Sequence, residues 1–410
     1  MGRRDSALVD SVISTVGLLA QGVSRFAYTA VVGRVLGADS LAAVNVGFAV
    51  AILLSLLWPT AAGNAAAAFG RADRPGVLRA LRRSLALSLI PLGLGAGVAM
   101  LLLGGAAAAA VQAVGLTAAW SAYIFARGML IGVGKLRSAA IWDVVSGIVA
   151  LLALAVFLSV GWREWALVPA VLGYLVFAVA AVVAVRPGEA ASGSDDRTAV
   201  PLVSFIAWSS LALLATNGLM QVSMVVATAL DTPGAAGQFA AALALATPAS
   251  MVAQAVTQAM LPRFGRWSAL PAAERLGAVR RATVALSAVM AAGCAIVAAL
   301  LPVVLPLVYG SAFVPAVPLA QGLMVAVWGF SVSVFLAAFL ATDGRARTAT
   351  VCSGVGSVVG LLTMVVVGAA AGGSVGAVIG TGGGMSLTVL LLAIVALRPA
   401  GHSRSSAASG

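Results

Sequence analysis

Arg25 stands in an apolar stretch, LLAQGVSRFAYTAVV, with Gln21 four residues before it and Tyr28 three residues after. On a helix that spacing puts all three side chains on one face. A guanidinium offers paired, planar donors that match phosphate and carboxylate oxygens. If the face turns to water, it is a candidate site for a pyrophosphate or an acidic sugar. The alternative is an arginine that snorkels outward or pairs with a neighbouring helix. Asn217 and Gln221 share a face in the same way, as do Gln254 and Gln258, and Asn64 lies beyond the Trp58–Pro59 step. Such neutral amide faces suit sugar hydroxyls, or equally helix-to-helix hydrogen bonds. Arg127 and Asp143 flank a short hairpin and should sit at similar depth and face each other. That pair reads either as an ion pair that lowers the cost of burial or as a proton or cation coupling site with Asp143 titrating.

Other chemistry has little to work with. His402 is the one histidine and lies in the polar tail, while Cys294 and Cys352 are far apart in apolar stretches. Zinc ligation and Cys/His nucleophilic catalysis therefore lack their side chains. No GxxxxGK[ST] loop is present, and the Gly-rich run GTGGGM at Gly380 has no lysine to make it one; close helix packing accounts for it better. The expectation is a protein that is not an enzyme and carries no cofactor.

The elements that must position these residues follow from hydropathy. Hydrophobic residues make up 62% of the 410, and charged residues 9%, against roughly 25% in a soluble domain. Mean hydropathy is +1.10. A span needs about 20 mostly apolar residues. Twelve such segments are predicted, at 7–33, 42–69, 84–104, 111–134, 138–160, 165–185, 201–228, 236–261, 280–308, 315–341, 348–370 and 373–397. The first is too long for a signal-peptide core and reads as an uncleaved span.

The charges agree with that count. With the N-terminus inside, 20 of the 24 basic residues fall on inner segments; Arg34 and Arg163 fall outside and Arg25 and Arg127 within spans. The positive-inside rule demands that asymmetry. The net charge of +12 then reflects topology and anionic lipid at the inner face, not nucleic acid. Both termini are expected in the cytoplasm.

The polar stretch RPGEAASGSDDRTAV splits the spans six and six. The expected layout is a six-helix bundle over 1–190, a cytoplasmic linker over 191–200, a second bundle over 201–400 and a disordered tail over 401–410. The halves resemble each other. LGADSLAAVNVGFAVA from Leu36 parallels LDTPGAAGQFAAALAL from Leu230, and the loops that follow, from Phe69 and Phe264, both begin FGR and end in paired arginines. Two like bundles around a central cavity is a common plan for secondary transporters.

Four stretches carry a family resemblance. GRVLGADSLAAVNVGFAV at Gly33, ALDTPGAAGQFAAA at Ala229, LPLVYGSAFVPAVPLAQGL at Leu305 and ATDGRART at Ala341 resemble, in order, motifs of the polysaccharide flippases of the MOP superfamily, which also holds the MATE transporters. The resemblance covers nearly the whole chain. It implies an all-α membrane protein of two pseudo-symmetric six-helix bundles and alternating access. It further implies movement of a lipid-linked oligosaccharide on polyprenyl pyrophosphate across a bacterial cytoplasmic membrane for cell-envelope polysaccharide export. Coupling to H+ or Na+ and contact with polysaccharide assembly proteins would go with it. The competing readings are a MATE-like cation or drug antiporter, a major facilitator transporter suggested by GRADRPG at Gly70, and a membrane scaffold that transports nothing.

Overall fold

The computed structural model describes residues 3–69, 75–185 and 199–398; side chains of residues 3–16, 18, 75, 199–201, 255, 258, 259 and 262 are outside the description. The expected tail 401–410 and nearly all of the expected linker 191–200 also lie outside it. Described residues fold into helices and turns, with no strand among them. In chain order the helices are α1 (Arg3–Leu36), α2 (Ala38–Leu57), α3 (Pro59–Phe69), α4 (Pro75–Leu102), α5 (Ala107–Gly132), α6 (Leu136–Val160) and α7 (Val168–Ala184). The second half holds α8 (Ala199–Leu213), α9 (Leu219–Leu230), α10 (Pro233–Ser268), α11 (Ala272–Tyr309), α12 (Ala316–Thr342), α13 (Ala346–Ala371) and α14 (Gly373–Ala396).

Each predicted span has a helical counterpart. Among the described residues, ten helices are long and apolar enough to cross a membrane, and Val168–Ala184 is apolar but shorter. The structure differs from the hydropathy reading mainly at helix ends. α4 begins at Pro75 and carries Arg79, Arg82 and Arg83, while α10 runs on to Ser268 past Arg263 and Arg266. These cations sit on helical extensions rather than in loops, because a helix satisfies its backbone wherever it continues, whereas hydropathy ends where hydrocarbon ends. The Ala/Gly stretch between the third and fourth spans turns at Gly104, whose φ of +79° is open to glycine and strained for other residues. The last two spans are parted at Gly372, and the Asp231 carboxylate accepts the Gly373 amide at 2.8 Å and the Ser374 amide, capping α14.

Two spans are interrupted. The second breaks between α2 and α3, where Pro59 has no N–H to give and begins the new helix at its first position. Trp58 supplies the capping carbonyl, accepting from Ala62 at 2.9 Å. The seventh contains a π-helical turn, Leu214–Gly218, between α8 and α9. Ser357 of α13 donates to the Ala215 carbonyl there at 2.6 Å. Pro248, by contrast, leaves α10 unbroken over 36 residues.

Helices α1–α7 pack mostly with one another, as do α8–α14, and the halves meet chiefly where α10 lies against α1 and α2, α9 against α2, and α8 against α3. The Gly380 run packs as expected in part. A Cβ on Gly380 or Gly384 would come within 2.8 Å of backbone oxygens of α13, while one on Gly382 or Gly383 would meet nothing within 4 Å. Lipid-soluble helices gain contact by such close approach, since hydrophobic burial does not separate lipid from core.

Candidate binding cavity

α1 and α2 face α9 and α10 across a cavity of about 390 Å³. Gln21 and Arg25, one turn apart on α1, both line it, and Asn64 of α3 lines it further along. The opposite wall carries Asn217 at the π-helical turn, Gln221 one turn later on α9, and Gln254 of α10. The Asn217 amide donates to Thr216 Oγ1 at 2.9 Å. The Gln258 side chain lies outside the description. Tyr28 shares the α1 stripe but does not reach this space. It is 2% exposed, stacks edge-on against Phe48, and donates its hydroxyl to the Ala166 carbonyl. Its seven atoms of ring and hydroxyl therefore belong to the packing between α1, α2 and the segment entering α7.

Arg25 lies with its guanidinium carbon 4.8 Å from the Phe48 ring centroid. It forms no ion pair among the described residues. Arg127 of α5 lines the same cavity and meets Asp143 of α6 behind the wall, Nε to Oδ2, at 3.0 Å. The Tyr123 hydroxyl donates to the other carboxylate oxygen at 2.7 Å. Asp143 is wholly buried while Arg127 keeps some exposure, so the pair presents its positive end to the cavity. Among the described residues, no aspartate or glutamate lines the cavity.

Several lining residues were not singled out from the sequence: Thr29, Asn45, Ser55, Thr60, Thr247 and Ser250. Thr247, Ser250 and Gln254 recur at helical spacing along α10, a stripe that sequence inspection can find. Ser55 is different. It accepts from the Trp120 indole at 3.1 Å and pairs with Thr60 at 3.1 Å across the α2–α3 break, which no local pattern announces.

At the end of the cavity carrying Arg34, the halves touch. Thr29 and Tyr309 bring their hydroxyls to 3.5 Å. Arg34 Nη1 donates to the carbonyls of Leu307 at 2.6 Å and Val308 at 3.2 Å. Those carbonyls belong to the last turn of α11 and have no helical partner ahead of them. Gln238 donates to the Ala312 carbonyl at 2.9 Å beside them.

No family model matches this sequence, and a search of curated proteins found no match. Solved structures do match. An inward-facing multidrug resistance MATE family transporter of the MOP superfamily aligns with a TM-score of 0.69 at 16% identity, over 93% of this chain and 94% of that one. The lipid II flippase MurJ, in an inward closed conformation, aligns with a TM-score of 0.72 at 11% identity, over 95% and 87%. The eukaryotic MATE transporter AtDTX14 aligns with a TM-score of 0.63 at 16% identity, over 96% and 95%. Across nearly its whole length, this all-helical multi-pass chain has the fold shared by MATE transporters of the MOP superfamily and the lipid II flippase MurJ.

Proposed function

We propose that the chain is a secondary transporter that moves a lipid-linked saccharide, carried on a polyprenyl diphosphate, across the cytoplasmic membrane by alternating access. The observation that carries this reading is the charge of the cavity. Among the described residues its lining contains Arg25 and Arg127, a set of amides and hydroxyls, and no carboxylate. An anionic phosphate gains from such a wall and a cationic drug is repelled by it. Amides such as Asn217, Gln221 and Gln254 complete the hydrogen bonds of a glycan with no charge of their own.

In this scheme the head group enters between the halves with its hydrocarbon tail left in lipid, and Arg25 holds the phosphate. The halves then rock about the fixed site. Lipid-linked sugar, anionic inner-leaflet lipid and a coupling H+ or Na+ are the partners of this reading, with the basic helix ends facing the cytoplasm. The fold is shared with MATE transporters, so cation export is the rival. It needs an acidic group on the cavity wall, and none lines it among the described residues.

The test is reconstitution of the full chain in liposomes with a fluorescent lipid-linked diphosphate saccharide. Protein-dependent loss of signal to an external quencher beyond the accessible leaflet is the expected result. Absence of flipping together with proton-driven efflux of a fluorescent cation would replace this reading with the rival.

A further inference from the structure

The two halves meet differently at the two ends of the cavity. At the end far from Arg34, Phe69 at the close of α3 meets Phe205 of α8 edge-on, with ring centroids 5.0 Å apart. Beside the cavity, a Cβ on Gly22 of α1 would meet only the flexible side chain of Met251 on α10. Side-chain rotation relieves contacts of that kind. At the Arg34 end the contact reaches backbone. A Cβ on Gly237 of α10 would collide with the Ala38 carbonyl oxygen at the start of α2. One on Gly33 of α1 would stand 2.6 Å from the ring of Tyr309, which packs against Phe26 and Phe313.

Gly33 and Ala38 belong to one short stretch, 33–39, and that stretch also brings two charges to the second half. Arg34 donates to the open carbonyls at the end of α11. The Asp39 carboxylate lies by the first turn of α10, where a Cβ on Gly234 would be 3.6 Å from its Oδ1. A cation at a helix C-terminus and an anion at a helix N-terminus both gain from the macrodipoles. Each of these contacts crosses from one half to the other, so neither bundle needs them to hold its own helices together. Parting the halves breaks them all at once, and close packing offers no intermediate setting.

We propose that residues 33–39 form a latch that exists only while the cavity is shut at this end: Gly33 and Gly237 permit the close seat, and Arg34 and Asp39 hold it. The latch rests on alternating access and not on the identity of the cargo.

The experiment measures distances between nitroxide labels at Val35→Cys and Val314→Cys, both exposed positions, in the full chain with Cys294 and Cys352 replaced by alanine. Gly237→Ala is the main variant. Alanine favours α10 as a helix, so it obstructs the closed state without weakening the open one. The ratio of long to short distances should rise at least tenfold, and Gly33→Ala should act in the same direction. Gly128→Ala is the contrast. Its Cβ meets the Gly63 carbonyl oxygen inside the first bundle, so it should lower the unfolding midpoint and leave the distances as in the wild type. A lower midpoint with short distances retained in Gly237→Ala would make that glycine structural and overturn the latch. So would unchanged distances in Gly33→Ala, which decides alone should Gly237→Ala fail to fold. The liposome assay on the wild type separates the two readings: lengthened distances in a chain that flips nothing uphold the latch and remove the proposed cargo, whereas flipping with distances that never change removes the latch and spares the transporter.

Discussion

Lys135 and Arg345 do the same work in the two halves. Lys135 Nζ donates to the Ala184 carbonyl in the last turn of α7 at 2.8 Å, and Arg345 Nη1 donates to the Val395 carbonyl in the last turn of α14 at 3.0 Å. Each follows a glycine with positive φ, Gly134 at +77° and Gly344 at +79°. Their amides close equivalent turns, Lys135 onto Leu130 and Arg345 onto Leu340, both at 2.8 Å. A cation on the unpaired carbonyls of a helix C-terminus is favoured by the macrodipole as well as by the bond. Lys135→Ala and Arg345→Ala should each lower stability by about 1–2 kcal/mol, and Lys135→Arg should stay near wild type. Denaturation of the purified variants in detergent measures this.

The cavity arginine carries the sharpest functional expectation. Arg25→Ala, at normal membrane abundance, should reduce flipping of a lipid-linked diphosphate by roughly 10–100-fold, the range that a lost charge-assisted contact supplies. Arg25→Lys keeps the charge without the paired donors and should fall between. Full transport by Arg25→Ala in the liposome quenching assay would end the phosphate-binding role.

Removing one partner of the Arg127–Asp143 pair strands a buried charge. Arg127→Met alone should cost about 3–5 kcal/mol, and the double variant Arg127→Met/Asp143→Asn should recover a large part of it. If the pair is structural, the stable double variant still transports and responds to a proton gradient as the wild type does. Transport that no longer responds to the gradient assigns Asp143 to coupling.

Arg34 ties α1 to the open end of α11, bridging the halves on one side of the cavity. Arg34→Ala should shift the population towards a state opened at that end by roughly tenfold or more, since a charge-assisted contact is lost on one side of the equilibrium only. Spin labels at Leu36 and Ser311 would report a longer distance component. An unchanged distribution would mean that the Thr29–Tyr309 and α2–α10 contacts hold the end closed without it.

Glycines of the same run should separate cleanly. A Cβ on Gly380 would stand 2.5 Å from the Gly360 carbonyl oxygen, a backbone atom that cannot step aside, whereas Gly383 has open space. Gly380→Val should therefore cost several times the 1–3 kcal/mol of ordinary overpacking or abolish folding. Gly383→Ala should be neutral or slightly stabilising by helix propensity. Yield and unfolding midpoint of the two variants provide the check.

The order of spans, the placement of Arg25 and Gln21 on one polar stripe and the meeting of Arg127 with Asp143 were legible in the amino-acid order alone. Hydropathy over 20 residues is a local property, a hairpin equalises the depth of its two arms, and helical spacing decides which side chains share a face. Which way each face turns was decided by tertiary packing. In a membrane helix the lipid side and the protein side are both apolar, so composition does not orient Tyr28, which continues the Arg25 stripe yet packs under Ala166 and away from the cavity. The same holds for Asp231, which caps a helix more than a hundred residues later, and for Ser55, which joins the broken second span to Trp120. Contacts of that kind depend on the rotation and register of whole helices against one another, and those are set by close packing of small residues distant in the chain.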